Sequence, residues 1–538
     1  MYSIYRLLAS FSFIFCLGIV TLPAQDWAWI KHWGSEGNES ATTLITAPDG
    51  TMWLSGTYDG TGLDLSGTAL EAYGQEDVYL ARLSADGEVA WAVGAGSKFA
   101  DETAGLAPAP GEGVFWAGIY WDSIHLADVT LTDPDGGKSI FLFRLSEGGE
   151  VGLAMSISGS SSLSLGNIAA DEAGGVYLCG AFAGNLTIAD TTLFAEGDRD
   201  LFVAKLDPAG ELSWVARFGE EGTVSPKDIA LGPTSTVYVG GHFLGTLPIG
   251  ADLLEAETQD EDGFLLQLDA SGQALWARKA GAQYDDLINA IAVNESGEAT
   301  VVGTFLGVLA FSDELVIQTA GFNDNFFLAR YSADGEPLWA RSLGGQDNEQ
   351  GLALELLGDE PVVAGLFRNQ LELDGLSISG APDVFNGFAA GFSEEGEARW
   401  LLPIKSPALV VPTQLTIGSD ASVTLTGSFR DELTFDEVNI FGDGLFDLFL
   451  ARVAQQVTPV GAVEVTPWQV FPNPTAGPIS WSLAGRARIF DLYGRVLWSA
   501  ENTSSADLSA FPDGLYFLEW EDESGLERRV VAIVKVAR

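Results

Sequence analysis

Ala299-Thr-Val-Val-Gly-Thr-Phe305 is a short apolar run that ends on a Gly-x-aromatic triplet, and the chain keeps returning to it. The triplet stands at Gly56-Thr57-Tyr58, Gly118-Ile119-Tyr120, Gly180-Ala181-Phe182, Gly241-His242-Phe243, Gly303-Thr304-Phe305, Gly365-Leu366-Phe367 and Gly427-Ser428-Phe429, always 61 or 62 residues from its neighbour. A fixed period of this kind marks one supersecondary unit copied in tandem. Working outward from 299–305, an apolar run at 288–293 precedes the turn Glu295-Ser296-Gly297, and an excursion through 311–317 follows the triplet. A third run spans 325–331, the turn Ala333-Asp334-Gly335 comes next, and a fourth run at 337–343 carries Trp339. Short apolar runs punctuated by Asp-Gly and Ser-Gly turns are strand and hairpin signals.

The other units follow the same plan. The third run recurs at 77–83, 139–145, 200–206, 262–268, 386–392 and 447–453, and the fourth-run tryptophan at Trp91, Trp214, Trp276, Trp339 and Trp400, with Leu153 in its place once. The fourth run missing after 453 is supplied by residues 27–34 at the other end of the chain. The reading is an all-β, seven-bladed β-propeller over 25–454, four antiparallel strands per blade, with the N-terminal strand closing the last blade. The tryptophans are expected to pack between blades. The Asp or Asn opening each third run (Asp77, Asp200, Asp262, Asn325, Asn386, Asp447) is expected to cap a turn.

Composition narrows the function classes. The 538 residues hold 75 acidic against 26 basic side chains, a net charge of −49. That field repels nucleic acid and favours cations, basic partners or saline surroundings. The excursions between second and third strands carry 31 acidic residues against four basic ones, Lys138, Arg199, Arg368 and Arg430, so one rim is expected to be strongly negative and to form the binding face. Catalytic constellations are sparse. The three histidines, His32, His125 and His242, fall in different repeats and read as strand residues. Acid runs at 260–262 and 133–136 resemble pieces of calcium loops without the full ligand series, so no cofactor is assigned and calcium stays open. The adjacent Asp285-Asp286 reads as solvated, though paired carboxylates also serve glycosidases.

Residues 1–24 read as a signal peptide: Arg6, then a 14-residue apolar stretch at 7–20, then Leu22-Pro23-Ala24 before Gln25, with cleavage expected between Ala24 and Gln25. Cleavage would leave one cysteine, Cys179, in an apolar run and without a disulfide partner. No later segment is apolar for long enough to span a bilayer as a helix.

The repeat stops after Val453. A linker at 455–466 leads to a segment at 467–538 whose acids and bases nearly balance, and whose short runs between Pro, Gly and Asp turns suggest a small Ig-like β-sandwich. This segment carries Pro472-Asn473-Pro474-Thr475-Ala476-Gly477, Asp491-Leu492-Tyr493-Gly494-Arg495, Leu508-Ser509 and Gly514-Leu515-Tyr516. On these residues it resembles the type A C-terminal sorting domain of the type IX secretion system of Bacteroidota-type bacteria, although 479–489 is shorter than that pattern. The resemblance implies Sec export, folding in the periplasm, recognition by an outer-membrane translocon, and release of the cargo or its attachment to the cell surface. The 62-residue units resemble seven-bladed propeller repeat proteins common among bacterial secreted proteins, a likeness that brings no active site with it. The expected function is an exported cell-surface or secreted binding module whose partner is an extracellular protein, glycan or cation. An extracellular polysaccharide-acting enzyme with carboxylates at the channel mouth, and a structural adhesin, are the alternatives.

Overall fold

The computed structural model describes residues 26–454 except 61, 112, 134–135, 160–161, 257–259, 320, 346 and 436–437, and residues 478–535 except 491–494, 513 and 522–527. The chain divides into two compact units, Met1–Gln456 and Val457–Arg538. The described part of the first is all-β apart from a single short 3-10 turn at Pro233–Ser235.

Repeat five shows how the sequence makes one unit. Leu287–Val293, Ala299–Phe305, Asn325–Tyr331 and Pro337–Leu343 pair in that order as an antiparallel meander. The middle two strands are buried along their whole length. Sheets covered on both faces need continuous apolar strands, which is why these runs show no polar alternation. The same order recurs in the other repeats, and the apolar clusters straddle neighbours: Tyr177, Cys179, Leu201 and Val203 of repeat three pack with Val237, Val239 and Phe264 of repeat four. The core therefore lies between sheets.

The fourth-strand tryptophans join one repeat to the next, as expected. Trp91, Trp214 and Trp276 donate their indole N–H to the carbonyls of Glu147, Ala270 and Ala333 at 3.0, 3.0 and 3.1 Å, each in the following repeat's last turn. The glycines of those turns, Gly149, Gly272 and Gly335, have φ of +85°, +83° and +79°, and any Cβ on them would meet the same tryptophans. The ring needs a turn without side chains beneath it.

Trp27–Trp33 pairs antiparallel with Asp447–Val453, from Trp27 opposite Val453 to Trp33 opposite Leu448. The N-terminal segment thus supplies the fourth strand of the last sheet. The first strands of repeats one and seven also meet: Thr46 N–H donates to Thr416 Oγ1 at 3.1 Å and Thr413 Oγ1 to the Ala41 carbonyl at 2.7 Å.

The excursions between second and third strands, expected to make up a strongly negative rim, are themselves folded. Each contains a β-hairpin laid against fourth strands. Ser123–Leu126 pairs with Val129–Thr132 and also with the preceding repeat, His125 opposite Gly96 and Leu126 opposite Ala95. Asn185–Ile188 attaches to Val151–Gly159 in the same way. The physical reason is local alternation: Ile124 and Leu126, Leu186 and Ile188, and Leu371 and Leu373 point one way and are buried. Several hairpin acids are absorbed by this packing. Asp252 and Asp374 accept backbone N–H groups of Ala277 and Ala398 at 2.9 and 2.8 Å, and Asp64 caps its own turn at Gly67.

In the second unit, Val496–Asp507, Pro478–Phe490, Gly514–Glu521 and Arg528–Lys535 form one antiparallel sheet in that spatial order. Its buried face includes Ile479, Ile489, Leu508, Tyr516, Leu518 and Ile533. Among the described residues it is a single sheet of four strands, where the sequence suggested a sandwich of short strands. The stretch 479–489 lies within one long strand, with register shifts at Ser480/Gly485 and Gly485/Ala487.

Candidate functional site

Each first strand contains a β-bulge at an equivalent position, as between Leu165 and Asn167, Pro226 and Asp228, Ile288 and Ala290, and Pro412 and Gln414. A bulge leaves one residue unpaired and re-aims its neighbours. The strands beyond these bulges line a cavity of about 750 Å³. Ala107, Ala169, Ala230 and Ala292 stand at equivalent places on its wall, and their small side chains leave the space open. In repeat six the equivalent place is taken by Glu355.

Of the four carboxyls that line this cavity, Glu295 and Asp359 are exposed, and Asp228 and Glu355 are half-buried. Asp228 accepts from Asn167 Nδ2, from the Ile229 N–H and from the Ile291 N–H, all at 2.8 Å, and so ties three consecutive repeats together. Burial raises its pKa against these bonds. Glu355 is pushed up to about 7, first by burial and then by the charge of Asp228. The arrangement can hold a proton near neutrality while offering oxygen acceptors to a ligand. The sequence reading missed both. The available signal was a polar residue interrupting a buried strand at the repeat spacing, as Asn167 and Asp228 do 61 residues apart.

Of the residues expected to cap turns, Asp77, Asp200, Asn386 and Asp447 do so, whereas Asp262 pairs with Lys279 Nζ at 2.9 Å. Asp77 accepts from Tyr73 N–H at 2.6 Å and Gly74 N–H at 3.2 Å, Asp200 from Glu196 and Gly197 N–H at 2.9 and 3.0 Å, and Asp447 from Asp443 N–H at 2.7 Å. A Cβ on Gly96, at the end of the fourth strand, would fall 1.9 Å from Asp77 Oδ1, so that glycine is required by the cap. A second set of acids opens the first strands. Burial pushes Asp101, Asp286 and Glu349 up to about 8. This corrects the solvated reading of Asp285-Asp286: Asp285 is exposed, and Asp286 is fully buried with its Oδ2 on the Ala282 N–H at 2.9 Å.

His32, His125 and His242 lie in three separate strands. His242 is buried beside Glu261 at 3.5 Å, and burial lowers its pKa to about 4. Cys179 is buried, its thiol pushed up to about 12. Among the described residues no group of three or more His, Cys, Asp or Glu is placed to hold a metal ion. No helix among them is long and apolar enough to cross a membrane.

Of the sorting-motif residues, Pro472, Asn473, Pro474, Gly477, Asp491 and Gly494 lie outside the described residues, as do Ala24 and Gln25 at the expected cleavage site and the linker 455–466. Arg495 is exposed beside the strand Val496–Asp507, and Gly514 opens Gly514–Glu521. Tyr516 packs against Phe511 and donates its hydroxyl to the Pro512 carbonyl at 2.8 Å.

Residues 469–534 match the family described as secretion system C-terminal sorting domain. The chain is therefore a cargo of type IX secretion, secreted or displayed at the cell surface, and its tail interacts with that system. An uncharacterized WD repeat-containing protein of Acanthamoeba polyphaga mimivirus is 20% identical over 490 residues, covering 74% of this chain and 35% of that protein. The chain thus spans about a third of that relative's length. Among solved structures, a puromycin hydrolase is similar at a TM-score of 0.40 and 13% identity, over 89% of this chain and 58% of its own. The endosialidase of phage phi92 is similar at 0.36 and 9%, over 97% and 90%. PorZ, a surface component of the type IX secretion system of Porphyromonas gingivalis, is similar at 0.16 and 11%, over 94% and 100%. Likenesses of this size assign no activity to the chain.

Proposed function

We propose that the exported part is a seven-bladed β-propeller over 25–454, closed by its own N-terminal strand, and that it works outside the cell as a non-catalytic binding module through an acidic face. Residues 1–24 are its cleaved signal, 455–466 its linker, and 467–538 an Ig-like sorting domain. The pairing of Trp27–Trp33 with Asp447–Val453, together with the contacts between the first strands of repeats one and seven, supports closure.

One observation carries the binding reading. On the connections entering the first strands, the deep acids Asp286 and Glu349 accept backbone N–H groups of Ala282 and Gly345 at 2.9 and 3.0 Å. Asp285 on such a connection, and Asp59, Glu76 and Glu261 at the strand ends that meet these connections, remain at least partly exposed. Such a face attracts cationic or hydroxyl-rich ligands. Protease treatment of intact cells should cleave the array from outside, and binding of a basic partner should weaken as salt rises. Confinement of the array to the periplasm, or salt-insensitive binding, would overturn the proposal.

A second reading is favoured by Glu355 alone. A carboxyl held protonated near pH 7 beside another carboxyl is the equipment of a glycoside-cleaving acid. Turnover of a polysaccharide that Glu355→Gln abolishes would establish it, and turnover that persists would dismiss Glu355 from the chemistry.

A further inference from the structure

We infer that the seam between the first and last repeats carries a subsite for an uncharged sugar ring. The inference rests on the binding-module reading and names its place and ligand class. A pocket of about 550 Å³ opens where the chain leaves its closing strand. That is within the range of about 300–1,000 Å³ typical of small-ligand sites. Asn38 bridges to Phe446 there, and Glu39 N–H donates to the Phe446 carbonyl at 2.9 Å, so the last repeat forms one wall and the first repeat the other.

The walls offer what a pyranose needs. Asp59 and Glu76 lie directly opposite each other on paired strands. Asp59 Oδ2 holds the Asn38 N–H at 3.1 Å, and Glu76 Oε1 accepts from Thr57 Oγ1 at 2.7 Å, which fixes both carboxylates in the pocket wall where ligand hydroxyls would meet them. Thr57 Oγ1 also lies 2.9 Å from Ser40 Oγ. The exposed amides of Asn38 and Gln75 can donate, and half-buried Phe446 supplies apolar surface for a ring face.

Ser428 is the independent sign. It lines this pocket at 8% exposure, and its buried hydroxyl has no hydrogen-bond partner. A buried hydroxyl left unpaired is costly, and a ligand hydroxyl would relieve it. None of the described lining residues is basic, which sets the site against uronates and sulfated sugars.

Departure from the repeat points the same way. Where Asp59 stands in the first repeat, the others place Trp121, Ala183, Leu244, Leu306, Arg368 and Arg430. Repetition alone would not put an acid there. Sites that break a pattern the rest of the fold obeys are where function is expected.

The test is saturation-transfer NMR and calorimetry on the full chain with cellobiose, maltose and lactose, using glucuronic acid as the anionic control. At least one neutral disaccharide should bind, glucuronic acid should not, and Asp59→Asn and Glu76→Gln should each weaken binding about tenfold or more at unchanged melting temperature. Phe446→Ala should weaken it too, but the two conservative variants decide the matter, since they retain shape. Absence of binding by all three disaccharides overturns the inference. So does binding that both variants leave intact, although that second outcome leaves the binding-module reading standing. Loss of binding in Glu355→Gln with wild-type affinity in Asp59→Asn would move the site to the central cavity.

Discussion

The repeat array and the C-terminal unit solve the same problem, keeping a β chain folded outside the cytoplasm, by opposite means. The array holds nearly all of the excess charge, buries its sheets on both faces, and joins repeat to repeat through a tryptophan, or once Leu153, over a glycine turn. The tail is nearly neutral in balance, and its described residues form one sheet with one buried face. Repetition lets the array carry many carboxylates, because turn donors of one repeat hold acids such as Asp77, Asp200 and Asp447. The tail has no such repetition, and what identifies it is its match to the C-terminal sorting family over residues 469–534.

Removing residues 26–34 should have the largest effect, since it strips the fourth strand from the last sheet and exposes the edge of Asp447–Val453. The array's melting temperature should fall sharply, whereas removing 457–538 should leave it unchanged. Equal effects in differential scanning calorimetry would erase the distinction between the two regions. Trp276→Ala comes next. Trp276 is 7% exposed and bonded to the next repeat, so about 3–5 kcal/mol should be lost in chemical denaturation. Trp498→Ala, in the tail, should leave the array's transition in place.

Smaller but more specific is the response to pH. Asp101, Asp286 and Glu349 stay protonated in the folded array to about pH 8, whereas unfolded they ionise near 3.8 or 4.5. Across that window the folded state binds more protons, so stability falls as pH rises toward 8 and stays lowered above it. Asp286→Asn should flatten that slope and raise stability at pH 9 by about 1 kcal/mol or more, as read from denaturation midpoints at pH 5 and pH 9. A steeper slope in the variant would refute the assignment. The smallest change expected is Glu88→Gln. It breaks an exposed pair with Lys31 and should cost less than about 1 kcal/mol.

Much of this architecture could be read before any coordinates. Ala299–Phe305, Asn325–Tyr331 and Pro337–Leu343 begin and end where the apolar runs do, and the partnership of 27–34 with the last sheet follows from counting strands. Periodicity is what makes this possible, because seven copies average out local noise. The site was less legible. Hydropathy within the excursions did not disclose that alternation such as Ile124-His125-Leu126 would fold them back as hairpins. Asp228 and Glu355 come together only through bulges, and a bulge leaves no mark on composition. Asp286 looked like its neighbour Asp285, although one residue of register separates a solvated carboxyl from a buried one.

The partnership of Trp27–Trp33 with Asp447–Val453 has a bearing on how the molecule is made. The strand at Trp27–Trp33 is synthesised well before its partner at Asp447–Val453 and waits, unpaired, for it. Until that strand arrives, the final sheet has no outer member and the leading segment no partner. A truncated product would therefore keep two unpaired strand edges, each a template for pairing with another chain.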